Sequence, residues 1–193
     1  MVCLGCEVGG RALVEVLPVV LFSEKVEQQV MALRDSGCNT TKDEDEGLAQ
    51  LLGVKCREIE LQIQGVNAEK AFISQHIKNC RIARVGREQV KYVLRDVKTF
   101  FNLSIPDQKI KWSVIKQKFS HLKDLDLKDT ETGPVRLIKG SNNLDLILLM
   151  RIVKLSGQSH ADGVPYAVET PLGWAVTNWL PSEQRVASPY NEF

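Results

Sequence analysis

The sequence predicts a mostly β fold with a few short helices. The apolar residues Ile59, Leu61 and Ile63 alternate with polar neighbours, and this period of two is typical of a strand with one buried face. Residues 14–22 and 26–33 are expected as two strands joined through Ser23-Glu24-Lys25, which predicts an antiparallel hairpin. Helical patterns are few and short, so strands dominate the prediction.

Further strands follow along the chain. The first hairpin delivers Asp35 at the end of its second strand, and the alternating strand is expected to turn and return along residues 71–77. Additional strands are predicted at residues 90–97, 166–170 and 174–177.

Short helices are predicted between these strands. Acidic residues precede residues 48–52, and negative charge at that position favours the start of a helix. Ser113 is the expected cap of a second helix, and Asn142 or Asn143 is the expected cap of a third over residues 144–151.

Composition fits one soluble domain. The chain has 193 residues, 44% of them hydrophobic, and a formal net charge of +1. Such a length can bury a sizeable core, and the balanced charge gives no electrostatic reason to expect nucleic acid or an anionic membrane as a partner. Neither apolar run, residues 16–22 or 144–150, reaches the roughly 20 residues that a membrane span requires.

The cysteines indicate a reducing compartment. Five of them occur at irregular spacing, and an odd number argues against a secreted disulfide framework, so a cytoplasmic location is expected. Cys3 and Cys6 have the spacing of half a zinc site, but no second Cys or His pair follows nearby. Free thiols and the remnant of an upstream zinc-binding segment both stay open for this pair, and the second would suit a nucleic-acid-binding module. No metal or cofactor is expected in the rest of the chain.

The tripeptide Asp35-Ser36-Gly37 is the main functional signal. Aspartic peptidases present a catalytic carboxylate on such a turn, and two carboxylates that share a proton activate a water for amide hydrolysis. No second copy exists, because Asp129-Thr130-Glu131 lacks the glycine, so a two-lobed single-chain enzyme is excluded and a homodimer is predicted. Taken alone, the tripeptide is more typical of a surface turn than of catalysis.

Four blocks of sequence supply the context of this tripeptide. They are residues 31–41 with Asp35-Ser36-Gly37-Cys38-Asn39-Thr40-Thr41 and the following segment 47–54, residues 111–116 leading to 121–127, residues 133–140 ending in Leu137-Ile138-Lys139-Gly140, and residues 165–174 with Tyr166-Ala167-Val168-Glu169-Thr170-Pro171-Leu172-Gly173-Trp174. In order and in approximate spacing, these blocks resemble the aspartic peptidase domain of Pao-type (BEL/Pao) retroelement polyproteins, a divergent relative of retroviral proteases. Four blocks together are far more specific than any one of them.

The resemblance implies a fold and a division of the chain. The fold is a retropepsin-like closed β-barrel with short helices, active as a two-fold homodimer. Residues 13–180 are the peptidase domain, residues 1–12 an amino-terminal extension and residues 181–193 a carboxy-terminal tail. By analogy with retroviral proteases, residues 166–170 or residues 174–177 are expected in the sheet that joins the two subunits.

The resemblance also assigns roles to residues. The catalytic residues are expected to be Asp35, Ser36 and Gly37. The residues expected to support their loop are Thr40, Thr41, Ile138 and Gly140. The turn Gly65-Val66-Asn67-Ala68 belongs to a hairpin that contains the flap over the substrate, although a plain solvent-facing hairpin fits these letters equally well. The substrate is a polypeptide, the polyprotein of the retroelement itself, and no membrane or nucleic acid is expected as a partner.

Three basic residues depart from the family pattern. Arg34 and Lys139 stand where the family has apolar residues next to the catalytic Asp and the supporting Gly, and Lys42 stands where an apolar segment usually begins. A buried cation without a partner costs several kcal/mol, against a total stability of order 10 kcal/mol. Acidic residues at positions 43–46, or Asp145, are candidate partners for Arg34 and Lys139. The alternative function is therefore a catalytically inactive or repurposed relic that acts as an interaction protein.

Overall fold

The computed structural model describes residues 10–43, 46–54, 56–64, 69–99, 110–129, 134–156 and 164–181. The predicted turn at residues 65–68 and the pair Cys3 and Cys6 lie outside these residues. The described part of the chain contains thirteen β-strands: β1 (Gly10–Leu13), β2 (Val16–Phe22), β3 (Glu27–Arg34), β4 (Thr41–Asp43), β5 (Cys56–Gln64), β6 (Glu69–Ile77), β7 (Arg81–Arg84), β8 (Tyr92–Val93), β9 (Val97–Thr99), β10 (Val135–Lys139), β11 (Arg151–Val153), β12 (Tyr166–Thr170) and β13 (Gly173–Pro181). The prediction of a mostly β chain is confirmed.

The helices are short. They are α1 (Glu46–Leu51), α2 (Trp112–Lys118) and α3 (Leu144–Ile147), with single 3-10 turns at Ser120–Leu122 and Ser141–Asn143. None of the helices in the described ranges has the length and apolar character that crossing a bilayer demands.

Nine strands form one mixed sheet in the order β5-β6-β9-β4-β10-β3-β2-β7-β8. Most neighbours are antiparallel, but β10 runs parallel to β3 and β4 runs parallel to β9. The expected closed barrel is not found, because among the described residues this sheet has two ends, β5 and β8. The parallel pair β3–β10 lies near the middle of this sheet, and Asp35 directly follows β3.

The predicted hairpins are confirmed. Strands β2 and β3 pair antiparallel from Val16↔Leu33 to Phe22↔Glu27, and Ser23 holds the turn by accepting hydrogen bonds from the backbone of Lys25 and Val26. All seven residues of β2 are buried, because both faces of this strand are covered. The alternating segment forms β5, which pairs along its whole length with β6.

Four strands form a second sheet in the order β1-β13-β12-β11. Its residues Val168 and Ala175 share a buried cluster with Leu17 and Val19 of β2, so the two sheets pack on a common core. Strands β12 and β13 confirm the predicted strands at residues 166–170 and 174–177, but each has a neighbour from its own chain on both sides. In the described part of the chain, the edges of this sheet are β1 and β11.

Three local predictions are wrong. The helix expected over residues 144–151 ends at Ile147. Residues 90–97 form no single strand: β8 and β9 are separated by a bend in which Asp96 has a φ of 52°, and the two strands lie far apart in the sheet order. Ser113 does not cap α2, because the helix starts one residue earlier and its first backbone N–H, that of Trp112, donates to Asp129 Oδ1 at 2.7 Å. This carboxylate is 17 positions away from Trp112 in sequence, so local patterns could not identify it.

Candidate active site

Asp35 follows the last residue of β3 and begins a tight turn. Its backbone carbonyl accepts a hydrogen bond from Cys38 N at 3.2 Å, and its side-chain Oδ1 accepts one from Gly37 N at 2.9 Å. A Cβ atom at position 37 would lie 3.3 Å from that same Oδ1, so a residue larger than glycine would crowd the carboxylate. Asp35 is half-buried, whereas Ser36 and Gly37 are exposed. The turn thus presents an oriented carboxylate at the surface of the sheet.

Strand β10 supports this turn from the neighbouring position. Asp35 N donates to the carbonyl of Lys139 at 3.1 Å, which extends the parallel ladder in which Ile138 and Lys139 face Leu33 and Arg34. Ile138 is buried in a small cluster with Met31 and Leu33. The predicted supporting strand therefore lies directly beside the strand that delivers the acid.

Gly140 makes the closest contact with the turn. A Cβ atom added at this position would lie 2.5 Å from the carbonyl oxygen of Thr40 and 2.8 Å from that of Cys38, both of them backbone atoms. The next residue donates from Ser141 N to Cys38 O at 2.7 Å. Only glycine fits this approach without moving the loop, because real Cβ atoms do not come within 3.0 Å of such neighbours.

Thr41 is fully buried and joins the loop to the segment after Gly140. Its hydroxyl donates to Asn142 Oδ1 at 2.8 Å and accepts from Asn143 Nδ2 at 2.7 Å and from Gly140 N at 3.3 Å. Both donor and acceptor capacities of the hydroxyl are thus used. Thr40 contributes differently, through the backbone carbonyl that faces Gly140 and accepts the Sγ–H of Cys38.

Asn142 and Asn143 are site residues that sequence reasoning missed. Both were expected as helix caps, but neither α3 nor the preceding 3-10 turn has a side-chain cap hydrogen bond. Asn143 instead exchanges two hydrogen bonds with the backbone of Arg95, at 2.8 and 2.9 Å, and Asn142 Nδ2 donates to the same carbonyl. Their amides thereby connect the bend before β9 to the Asp35 turn. Two consecutive amides after Gly140 were the available signal.

Arg34 is compensated by a partner that the sequence did not suggest. Its Nη1 lies 2.7 Å from Glu15 Oε2, and its Nε donates to the carbonyl of Ile147 at 2.7 Å. Asp145, the expected partner whose side chain is described, pairs with Arg95 instead. Glu15 precedes β2, and its carbonyl also accepts Arg34 N, so pairing of β2 with β3 brings the two side chains together.

The cost of burying Lys139 is reduced by a lowered pKa and not by an ion pair. Its side chain is fully buried, and Nζ has no hydrogen-bond partner among the described residues. Burial lowers the pKa of Lys139 to about 7, the charge of Arg34 acts in the same direction, and the Glu15 carboxylate opposes both. The amine is therefore close to half-deprotonated at neutral pH, which reduces the cost of burying it. Lys42, the third basic departure, is half-buried on β4 opposite Ile138.

The β5–β6 hairpin is connected to the loop through two further strands. β6 pairs with β9, and β9 pairs with β4, whose first residue is Thr41. Ser74 and Gln75 fix the base of the hairpin by hydrogen bonds to Thr99, at 2.7 and 2.9 Å. One face of the hairpin bears an open groove of about 450 Å³, lined by Glu58, Ile59, Glu60, Ala71 and Ile73. The tip, Gly65 to Ala68, lies outside the described residues, so its role as a flap stays a prediction.

A single loop of the Asp-Ser-Gly type is present in the described ranges. Asp35 makes no ion pair with another described side chain, and the described residues contain no group of three or more His, Cys, Asp or Glu arranged to hold a metal ion. His121 contacts the backbone carbonyl of Pro165 and packs edge-on against Phe119, which is a structural role. No family model, no curated protein and no solved structure matches this chain. The functional assignment therefore depends on the sequence blocks and on the geometry of the loop.

Proposed function

We propose that this chain is one subunit of a retropepsin-like aspartic endopeptidase of the kind encoded in Pao-type retroelement polyproteins. Asp35 of two copies would meet across a two-fold axis and share one proton. One carboxylate then takes a proton from a water as the water attacks the amide carbon, and the other donates a proton to the carbonyl oxygen. Because this cycle needs one shared proton, activity falls at both low and high pH.

The observation that carries the proposal is the contact of Gly140 with the Asp35 loop. Strand β10, whose Lys139 carbonyl accepts Asp35 N, and the following Gly140, which touches the backbone of residues 38 and 40, hold the half-buried acid in one orientation. An ordinary surface turn needs no such support. Preorganised carboxylates are what water activation requires, since a misplaced base loses much of its effect.

The remaining parts have matching roles in the proposal. Ser36 and Gly37 shape the turn, and Thr40, Thr41 and Ile138 keep it against β10. The substrate is an extended segment of polypeptide, which would lie as a strand between the β5–β6 hairpin and the loop and form main-chain hydrogen bonds there. The two-fold homodimer belongs to this proposal as well.

A peptidase assay tests the function. Purified full-length protein is incubated with a peptide library between pH 4 and pH 8, with and without a transition-state inhibitor of aspartic peptidases. We expect cleavage that the inhibitor abolishes and that Asp35→Asn lacks. Asp124→Asn is the matched control, since it removes an exposed carboxylate outside the loop and should retain activity. Cleavage by a folded Asp35→Asn protein would contradict the assignment.

The second candidate function is a relic of such a domain that acts as an interaction protein. Lys139 favours it, because a fully buried amine without a hydrogen-bond partner next to the loop is foreign to a peptidase of this type. A stable fold with no cleavage at any pH, together with retained self-association, would support this alternative over the enzyme.

A further inference from the structure

Five large apolar side chains are exposed within nine consecutive positions of the chain. Their exposed fractions range from 40% to 66%, and they are Leu144, Leu148, Leu149, Met150 and Ile152. No charged residue occurs between positions 146 and 150. Scattered single apolar residues are normal at a protein surface, but a contiguous group is typical of an interaction site. We call residues 144–152 the apolar segment.

The apolar segment includes a strand at the edge of its sheet in the described part of the chain. Strand β11 pairs with β12 through Arg151↔Glu169 to Val153↔Ala167, and it is the last strand in the order of its sheet among the described residues. Met150 N continues the same ladder by donating to Glu169 O at 2.8 Å. Natural proteins usually protect such edges with charges, proline or a covering element, because the free backbone groups accept another strand. Here Ile152, in the middle of the edge, is 54% exposed.

The same segment lies against the Asp35 loop. Arg34, the residue before Asp35, donates from Nε to the carbonyl of Ile147, and Ser141 N donates to Cys38 O. The apolar segment therefore begins at the loop and runs away from it to β11. A molecule that covers the segment is also beside the catalytic carboxylate.

Opposite charges stand at the two ends of the exposed run. Asp145 is exposed, and its ion pair with Arg95 is long, at 3.8 Å, between side chains that are both more than 70% exposed. Arg151 is exposed at the other end. A two-fold axis that passes between these two charges would set Asp145 of one copy opposite Arg151 of the partner subunit. Such an arrangement is self-complementary, as an isologous interface requires.

We propose that the apolar segment is the surface through which two copies of this chain associate, and that β11 and the residues before it bring the second Asp35 to the first. The inference rests on the proposed function, since the single acid needs a second copy to complete the site. It corrects the expected position of the dimer sheet, because β12 and β13 already have neighbours on both sides and β11 does not.

The test is the oligomeric state of the full chain, measured by sedimentation velocity over a range of concentrations. We expect the unmodified chain to form dimers and the double variant Met150→Glu, Ile152→Glu to associate about 100-fold or more weakly, because burying four carboxylates at a two-fold axis is unfavourable. Val93→Glu is the matched control: it also places an acid at an exposed position of an edge strand, but in the other sheet, and it should leave association unchanged. Circular dichroism of each variant checks that it folds.

Exchanging the charges of Asp145 and Arg151 tests which residues of the two copies face each other, independently of the apolar side chains. Asp145→Arg and Arg151→Asp should each weaken association about tenfold, and the double exchange should restore it, because the opposite charges again face each other. A monomeric unmodified chain at every concentration, or a dimer that survives the Met150 and Ile152 changes as well as it survives Val93→Glu, would overturn the proposal. So would two single exchanges that leave association intact.

The outcomes separate this inference from the proposed function. If the unmodified chain cleaves peptides and the Met150, Ile152 variant cleaves them equally well, the peptidase stands and the interface is wrong. If association depends on the apolar segment as predicted and no peptide is cleaved, the interface stands and the peptidase fails.

Discussion

Two buried polar groups contact the Asp35 loop, and they differ in how well their atoms are paired. On one side, the hydroxyl of Thr41 and the amides of Asn142 and Asn143 form a network in which the Thr41 hydroxyl both donates and accepts. On the other side, Glu15 and Arg34 form a close ion pair, but the amine of Lys139 has no hydrogen-bond partner in the described structure. The amide network fixes one geometry, whereas the charged group contains the Lys139 amine, whose protonation depends on pH.

The difference between the two groups separates what supports the proposed peptidase from what departs from it. The amide network and Gly140 provide the rigid support that a catalytic carboxylate needs. The charged group costs stability at neutral pH, because Lys139 must give up its proton or be buried with it. Removal of the Lys139 amine should therefore stabilise the fold, whereas substitutions in the amide network or at Gly140 should destabilise it.

Lys139→Met is expected to have the largest effect. The pKa of Lys139 is lowered from 10.5 to about 7. Between these values the unfolded chain binds more protons than the folded one, so stability rises with pH by up to about 1.4 kcal/mol per unit and is lowest below pH 7. Methionine at this position removes the penalty, and we expect a gain on the order of 3 kcal/mol at pH 7.

Urea unfolding at several pH values between 6 and 9 measures this change. The unmodified chain should become more stable as the pH rises, and Lys139→Met should lose that slope. Lys25→Met, at an exposed position, is the control and should keep it. An equal slope in the Lys139→Met protein would mean that the amine does not titrate in this range.

Gly140→Ala should change the stability by nearly as much as Lys139→Met, but in the opposite direction. The new methyl group would meet the backbone carbonyls of Thr40 and Cys38 at 2.5 and 2.8 Å, so the loop must shift. We expect a loss of about 3 kcal/mol, since backbone neighbours cannot move as a flexible side chain can. Unfolding measurements should show Ser141→Ala, an exposed neighbour, to be close to neutral. An unchanged midpoint for Gly140→Ala would contradict the close contact.

Thr41→Val should cost about 2 kcal/mol. The substitution keeps the shape of the side chain but removes the hydroxyl, which leaves the Asn142 and Asn143 amides and Gly140 N without one partner each. Thr40→Val is the matched control, because the Thr40 hydroxyl bonds only to the exposed Asn39 side chain at 3.3 Å. Comparable losses of stability at both positions would show that the hydrogen bonds of the Thr41 hydroxyl add no more stability than the exposed Thr40 hydroxyl does.

Glu15→Gln should have the smallest effect, a loss of about 1 kcal/mol at neutral pH. Arg34 keeps the Ile147 carbonyl but loses its charged partner, and both side chains are only 16% exposed. Because the Glu15 carboxylate raises the pKa of Lys139, its removal should also lower that pKa further and move the rise in stability to lower pH. Glu27→Gln, on the exposed part of β3, should change neither quantity in the same unfolding series.

Local signals in the sequence predicted much of the fold. The β2–β3 hairpin, the alternating strand β5 and the roles of Gly140 and Thr41 follow from periodicity, from turn chemistry and from the resemblance. Contacts between distant segments were missed: Glu15 with Arg34, Asn143 with Arg95, and Trp112 with Asp129. A side chain that bonds far along the chain looks locally like a cap or a solvated charge, and only strand pairing decides its partner.

Adding inactive subunits to active ones tests most directly whether two Asp35 carboxylates from two copies form the site. Folded Asp35→Asn protein is titrated into a fixed amount of unmodified protein while the rate of peptide cleavage is followed. Mixed dimers carry one acid, so at a ninefold excess of the variant the rate should fall to about one tenth by mass action. A rate that stays constant throughout the titration would mean that each chain acts alone, and the account would be contradicted.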